Sequence, residues 1–429
     1  MERLIALLGI VVFTILAWLF SRTWKTINVR LLFWAFAFQF LFAAFIFQSN
    51  AGQDMFAAVN SAVVALVNAA MAGPQFVFGT LADPVQAEKA GLGFILFFQG
   101  LVSILVISSL LAILYHFGVM SFLLKTFAKI FSRLTNISGA ESLAATANVF
   151  VGNESLLAIK PCLPTLTRSE YCTLLATCMA TVSANVLVPY VNILQSSFPS
   201  IAGHLVSASI LSVPAAVVLA KLAVPETGQP ETLGTTVDPH FEREQNIIEA
   251  VLGGAEAGFK MIVGITSMLI AVVGLLAIVN LLLGTAGHYV NPLVGLQTAW
   301  SIEGFFGLFF YPFVWLMGVP AADVPAVSHL LGIRVIATEI PAYVQLSQLI
   351  SSQSIEPRSA IIAAYALCGF AHLPSMAIFV GGAAALAPLR KSDIAAVAWK
   401  ALAVATLACF ITGALAGLFC GNTAVLTNT

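Results

Sequence analysis

The 429-residue sequence is divided into apolar stretches long enough to cross a membrane. A helix needs about 20 predominantly apolar residues to span roughly 30 Å of hydrocarbon. Eight stretches qualify: 4–21, 31–48, 93–118, 170–192, 201–223, 257–284, 359–384 and 396–420. Such a chain has few options, because within lipid every backbone polar group must find its partner inside the protein. Composition agrees: 60% of residues are hydrophobic and 9% charged, with a mean hydropathy of +0.99, whereas soluble domains carry about 25% charged residues. The sequence predicts an all-α polytopic membrane protein. Residues 53–80 are less hydrophobic and spotted with Gly, Asn and Gln; they read as a helix lying along the interface. The run Leu4 to Phe20 lacks a small-x-small cleavage site and is followed by further spans, so it reads as a retained first helix.

The net charge of −1 offers no basic surface for nucleic acid. The six cysteines form no C-x-x-C pair and sit mostly in apolar runs, as small buried hydrophobes do. No H-E-x-x-H, no G-x-S-x-G and no paired aspartates in facing spans occur, so the chain reads as a non-enzyme. Threading eight spans with both termini outside places twelve Lys and Arg residues on the cytoplasmic side, among them Arg22, Lys125, Lys160, Arg168, Lys221 and Arg390. Three, Arg3, Lys89 and Arg358, fall outside, in keeping with the positive-inside rule. The connection from Val224 to Gln245 reads as a polar cytoplasmic linker without chemistry of its own.

Two regions resist being spans. The charge-free stretch Leu143 to Val151 would rise about 13 Å as a helix, half the hydrocarbon thickness. Basic residues flank it on both sides, which predicts a re-entrant hairpin with Gly152-Asn153-Glu154-Ser155 at its tip. The second region, Asp323 to Ser352, holds Glu339 in V-I-A-T-E-I-P-A-Y and reads as a hairpin entering from the opposite face. A repeat ties the two together. T-R-S-E-Y-C-T-L-L-A-T-C-M-A (167–180) aligns with P-R-S-A-I-I-A-A-Y-A-L-C-G-F (357–370), so that Arg168/Arg358, Ser169/Ser359 and Cys178/Cys368 sit 190 apart. Each hairpin is followed by a helix with an interruption: polar residues precede Pro189 in one, and Pro374 removes a helical hydrogen bond in the other. An inverted repeat with broken helices is an architecture of secondary transporters.

A charge at a helix centre costs roughly 2.5–3.5 kcal/mol on insertion scales, and intramembrane ionisable groups are by default functional. Glu154 and Glu339 are therefore candidate solute or ion sites, with His372 beside Pro374 and Phe370 as a wall. Arg334 reads as a snorkelling or structurally paired residue, and Glu256 with Lys260 as an i, i+4 ion pair. Carboxylates, amides and hydroxyls without clustered positive charge suit a neutral, hydroxyl-rich solute such as one bearing a ribose.

A-N-V-F-V-G-N-E-S, T-E-I-P-A-Y and the block from Pro357 to Asp393 resemble the concentrative nucleoside transporter family, from about residue 90 onward. The resemblance implies eight spans, two opposed re-entrant hairpins, interfacial helices and a homotrimer in the cell inner (cytoplasmic) membrane, importing nucleosides with a cation, usually Na⁺. Matched residue by residue, Asn153 reads the nucleobase, Glu154 is the first-hairpin glutamate, and Glu339, Phe370 and Ser375 are second-half substrate positions. The family's sodium site falls on Asn148, Thr181 and the carbonyls of Val151 and Val182. No cofactor is implied beyond Na⁺ as coupling ion. G-N-E-S-L-L is one residue shorter than the family's usual motif, and His372 and Pro374 stand where it has Asn and Ser. Those departures keep open a proton-coupled importer of a modified nucleoside or another polyhydroxylated solute. The organisation that follows is a scaffold of 1–120 and 251–320, transport halves of 121–223 and 321–429, and the linker 224–250.

Overall fold

The computed structural model describes residues 1–21, 28–152, 155–241, 244–294 and 300–420. Asn153 and Glu154, at the expected tip of the first hairpin, lie outside them. The described residues are helical, with no strand beyond one isolated bridge between Ser138 and Leu233.

The N-terminal part comprises α1 (Glu2–Leu19), α2 (Val29–Gln48), α3 (Asn50–Ala70), α4 (Ala72–Phe78) and α5 (Pro84–Lys89). A π-helical turn (Leu96–Gly100) then leads toward α6 (Ile104–His116) and α7 (Val119–Thr135). The first hairpin follows as α8 (Gly139–Val151) and α9 (Ser155–Ala158), then α10 (Arg168–Ala180), α11 (Ala184–Leu194) and α12 (Ile201–Ala223). The longest helix, α13 (Ile247–Val294), and α14 (Ile302–Leu316) lead to a second series. There α15 (Val324–Ile336) and α16 (Glu339–Ser351) form the second hairpin, followed by α17 (Pro357–Leu367), α18 (Leu373–Leu386) and α19 (Lys391–Phe419).

The series hairpin, broken helix, long helix thus occurs twice. The two copies are interleaved: α10 packs on α19, α17 on α12, and the long helices α12 and α19 on each other. Ser212 and Thr412, 200 residues apart, share a 3.1 Å hydrogen bond across that last contact. The stretch from α10 to α11 is 94% buried, whereas the apolar window of α13 is 11% buried and turns its side chains outward. The repeat read from three identities therefore forms the core, and α13 belongs to the periphery.

Local sequence explains where the core helices begin. Ser138-x-x-Glu141 and Thr167-x-x-Glu170 are both complete capping boxes, each side chain bonding the other's backbone N–H. Glu141 then accepts Lys221 Nζ at 2.6 Å from the last turn of α12, where a cation also complements the helix dipole.

Several expectations are refined. The stretch 359–384 is interrupted: α17 stops at Leu367, and α18 starts at Leu373. Pro374 is not inside that break but in the first turn of α18, where its missing N–H costs nothing. Similarly the break between α10 and α11 falls at 181–183, while Pro189 lies within α11. Residues 53–80, read as an interfacial helix, fall in a helical run, Asn50–Lys89, that is divided into several short pieces after Ala70 and by length and apolarity alone would also qualify as a span. The connection after α12 is more than a polar tether. His240 donates its N–H to Ala158 O at 2.8 Å and Gly139 to Thr232 O at 2.9 Å, which straps the segment to the base of the first hairpin. Asp238 pairs with Lys125 of α7 at 2.5 Å.

Candidate functional site

The two breaks meet. Gly369, in the α17–α18 break, packs so closely on the end of α10 that an added Cβ would lie 2.8 Å from Ala180 O and 2.7 Å from Cys409 Sγ. Gly152, at the end of α8, has φ +57° and leaves only 2.8 Å between a notional Cβ and Ser183 Cβ, in the α10–α11 break.

Glu339 is the first residue of α16 and is 3% exposed. Its Oε1 accepts a hydrogen bond from Tyr190 of α11. Its Oε2 lies 2.7 Å from His372 Nε2, and its second lone pair leaves it able to accept a further hydrogen bond. His372 caps α18 by accepting the Ser375 N–H at Nδ1, 3.2 Å away. A ring accepting at Nδ1 carries its proton on Nε2 and is neutral in that state. Nε2 also lies 3.0 Å from Ser375 Oγ. The ring of Phe370 stands edge-on to His372, with centroids 6.3 Å apart. Just before the carboxylate, Thr338 holds φ +140°, strained for a β-branched residue, and its buried hydroxyl has no hydrogen-bond partner.

Arg334 is fully buried and does not snorkel. It donates to Ala366 O at the end of α17, while Tyr343 donates to Ala364 O at 3.1 Å. Carbonyls orphaned by the break are thereby satisfied, and a guanidinium sits at the negative end of a half-helix.

The expected sodium ligands are all buried: Asn148, Val151, Thr181 and Val182 are each at most 1% exposed. Asn148 Oδ1 accepts from Ser155 Oγ at 2.9 Å. Gly152 O lies at 2.9 Å from the same position, so the amide oxygen faces another oxygen unless the amide turns over and donates with its nitrogen. The Asn148 amide oxygen, Ser155 Oγ and Gly152 O are oxygens of the kind a hard cation takes as ligands. The Thr181 hydroxyl spends its proton on Thr177 O at 2.9 Å, which leaves its lone pairs free. The carbonyl of Val182 already accepts Ser209 Oγ at 3.2 Å. The carbonyl found beside Asn148 is that of Gly152, next to the expected Val151.

Tyr190, Thr338, Ser155 and Gly152 O were missed as site groups by sequence reasoning. Thr338 and Ser155 each adjoin a glutamate already singled out, which was the available signal; Tyr190 offered none.

Interrupted helices crossing at a buried polar cluster in a membrane protein define a secondary-transporter fold. Family models described as "Na+ dependent nucleoside transporter" match residues 8–81 for its N-terminus and 204–417 for its C-terminus, and one described as "Nucleoside recognition" matches 97–197. The nucleoside permease NupC of Helicobacter pylori is 30% identical over 424 residues, 98% of each chain. Solute carrier family 28 member 3 of Rattus norvegicus is 33% identical across 97% of this chain but only 59% of its own length. A solved structure of CNTnw in an inward-facing substrate-bound state superposes with a TM-score of 0.89, at 30% identity and 98% coverage of both chains. The chain belongs to the concentrative nucleoside transporter family, whose members are transporters and not enzymes.

Proposed function

We propose that the protein is a Na⁺-coupled symporter that imports nucleosides across the cytoplasmic membrane by alternating access. The observation that carries this reading is the placement of Glu339, with one oxygen held by Tyr190 and the other 2.7 Å from His372 Nε2, at the crossing of the two broken helices. A carboxylate oxygen with spare capacity accepts a ribose hydroxyl; Ser375 and His372 are within reach of the same solute, and Phe370 forms its wall. Glu154 and Asn153 complete the site from the first hairpin. The oxygens around Asn148, with Thr181, take the coupling ion. Because Asn148 lies on α8 and Ser155 begins α9, an ion bound there orders the hairpin tip and raises substrate affinity. The two halves, 121–223 and 321–429, move as one body, with inverted topology, against a homotrimeric scaffold of 1–120 and 251–320.

Radiolabelled nucleoside uptake into proteoliposomes with imposed Na⁺ or H⁺ gradients tests the proposal. Uptake is expected to follow the Na⁺ gradient, and Glu154→Gln and Glu339→Gln are each expected to abolish it while expression persists. Uptake within twofold of wild type in both variants would overturn the site. One observation favours a second reading: the buried His372–Glu339 contact is a pair through which a proton can couple. Accumulation driven by the H⁺ gradient alone would establish that alternative, with a modified nucleoside or other polyhydroxylated solute as cargo.

A further inference from the structure

A cavity of about 440 Å³ is lined in part by the connection that the sequence places on the cytoplasmic side, and none of the Glu339 cluster lines it. One wall is α6 with the start of α13; the facing wall carries Leu157 of α9 and Asn185 of α11; Pro239 and Phe241 of the strapped connection close a third side. We propose that this cavity is a second nucleoside station, occupied between the Glu339 cluster and the cytoplasm. The inference rests on the transport reading above.

Four observations support it. The volume lies within the range of small-ligand sites, about 300–1,000 Å³. Asn185 is 1% exposed, yet its Oδ1 has no hydrogen-bond partner. A buried acceptor left unpaired is costly, and a nucleobase N–H or a ribose hydroxyl would relieve it. Tyr115 of α6 and Phe241 pack with ring centroids 4.3 Å apart and both line the cavity, which gives a base an aromatic surface to stack on. Finally, Asn185 is placed on the route. It lies two residues beyond Ser183, on which the first hairpin's terminal glycine packs, and five before Tyr190, which holds Glu339. Five helical residues rise about 7.5 Å, so along the axis of α11 Asn185 lies about one solute length from the residue that holds the carboxylate.

The cavity walls belong to both proposed bodies, α6 and α13 on one side and α9 and α11 on the other. Its shape therefore changes with the transport movement, and the station fills and empties with the cycle.

Saturation-transfer difference NMR with millimolar uridine on the purified full chain tests the station apart from the main site. Glu339→Gln, which disables the main site, is expected to keep a weak uridine signal. Adding Asn185→Leu to it should weaken that binding about fivefold, the scale of one hydrogen bond, and adding Phe241→Leu should weaken it similarly. The second variant changes a residue of the connection, so a folding defect in the first does not decide the matter. No signal from Glu339→Gln, or signals within twofold across all three proteins, would overturn the station. Failure of the transport reading is a different result: wild-type protein without Na⁺- or H⁺-driven nucleoside uptake.

Discussion

Among single residues, Glu339 owes its availability to Tyr190. The phenol is fully buried, donates to one carboxylate oxygen, and packs at a tilt against Tyr343 with centroids 4.9 Å apart. Tyr190→Phe keeps the ring and removes only the donor. Hydrogen bonds to charged groups contribute about 1.5–3 kcal/mol, so nucleoside uptake by this variant is expected to fall about tenfold or more, with folding intact by size-exclusion chromatography. Uptake unchanged from wild type would mean that the phenol does not orient the carboxylate. This residue also marks how far sequence reading reached. Glu339, His372 and Ser375 stand out because each interrupts an apolar run, and a charge or imidazole there carries an insertion cost that demands a reason. Tyr190 follows Pro189 in an ordinary apolar helix, and its partner is 149 positions away. Nothing local distinguishes it from a packing aromatic. Arg334 was legible as a buried charge but not as the group that satisfies a broken helix, because its acceptor exists only once α17 stops at Leu367.

Helices and their interruptions follow a similar rule. The paired hairpins were readable because a charge-free stretch too short to cross, flanked by basic residues, leaves few alternatives. The surface pair Glu256–Lys260, at 2.7 Å, follows from i, i+4 spacing alone. The breaks were placed near their prolines, yet both lie upstream of them. Backbone crossing fixes their positions: at Gly369 the chain passes the end of α10 with no room for a side chain. Gly369→Ala pushes a methyl into a carbonyl that cannot rotate away. Overpacking of this kind costs about 1–3 kcal/mol, so a lower melting temperature and reduced uptake are expected. Gly381→Ala on α18, where an added Cβ meets nothing within 4 Å, is the matched control and should melt at or above wild type. Pairing Gly369→Ala with Cys409→Ala removes the sulfur at 2.7 Å but not Ala180 O at 2.8 Å, so rescue should be partial. Full rescue would show that the helix crossing is loose.

Across the whole molecule, the proposed ion site and the proposed solute site are joined by the interleaved repeat. Asn148 on α8 reaches Thr177 and Cys178 of α10 and Ser155 of α9, so it touches three elements of the first half. The end of α10 in turn contacts the second break at Gly369, three residues from His372. A cation bound at the proposed Asn148 site would therefore stiffen a unit extending to the Glu339 cluster. Ligands that bind only the native state stabilise it by about 2.7 kcal/mol at a hundredfold excess over Kd. Purified protein should consequently melt several degrees higher in Na⁺ than in choline at equal ionic strength. Asn148→Leu should erase that difference while Glu339→Gln retains it, because the second substitution leaves the oxygen cluster intact. Equal melting in Na⁺ and choline for the wild type, with a shift between pH values instead, would move the coupling from Asn148 to the His372–Glu339 pair. The two ions would then act on opposite ends of the same packed path, and only the end nearer the substrate would be in use.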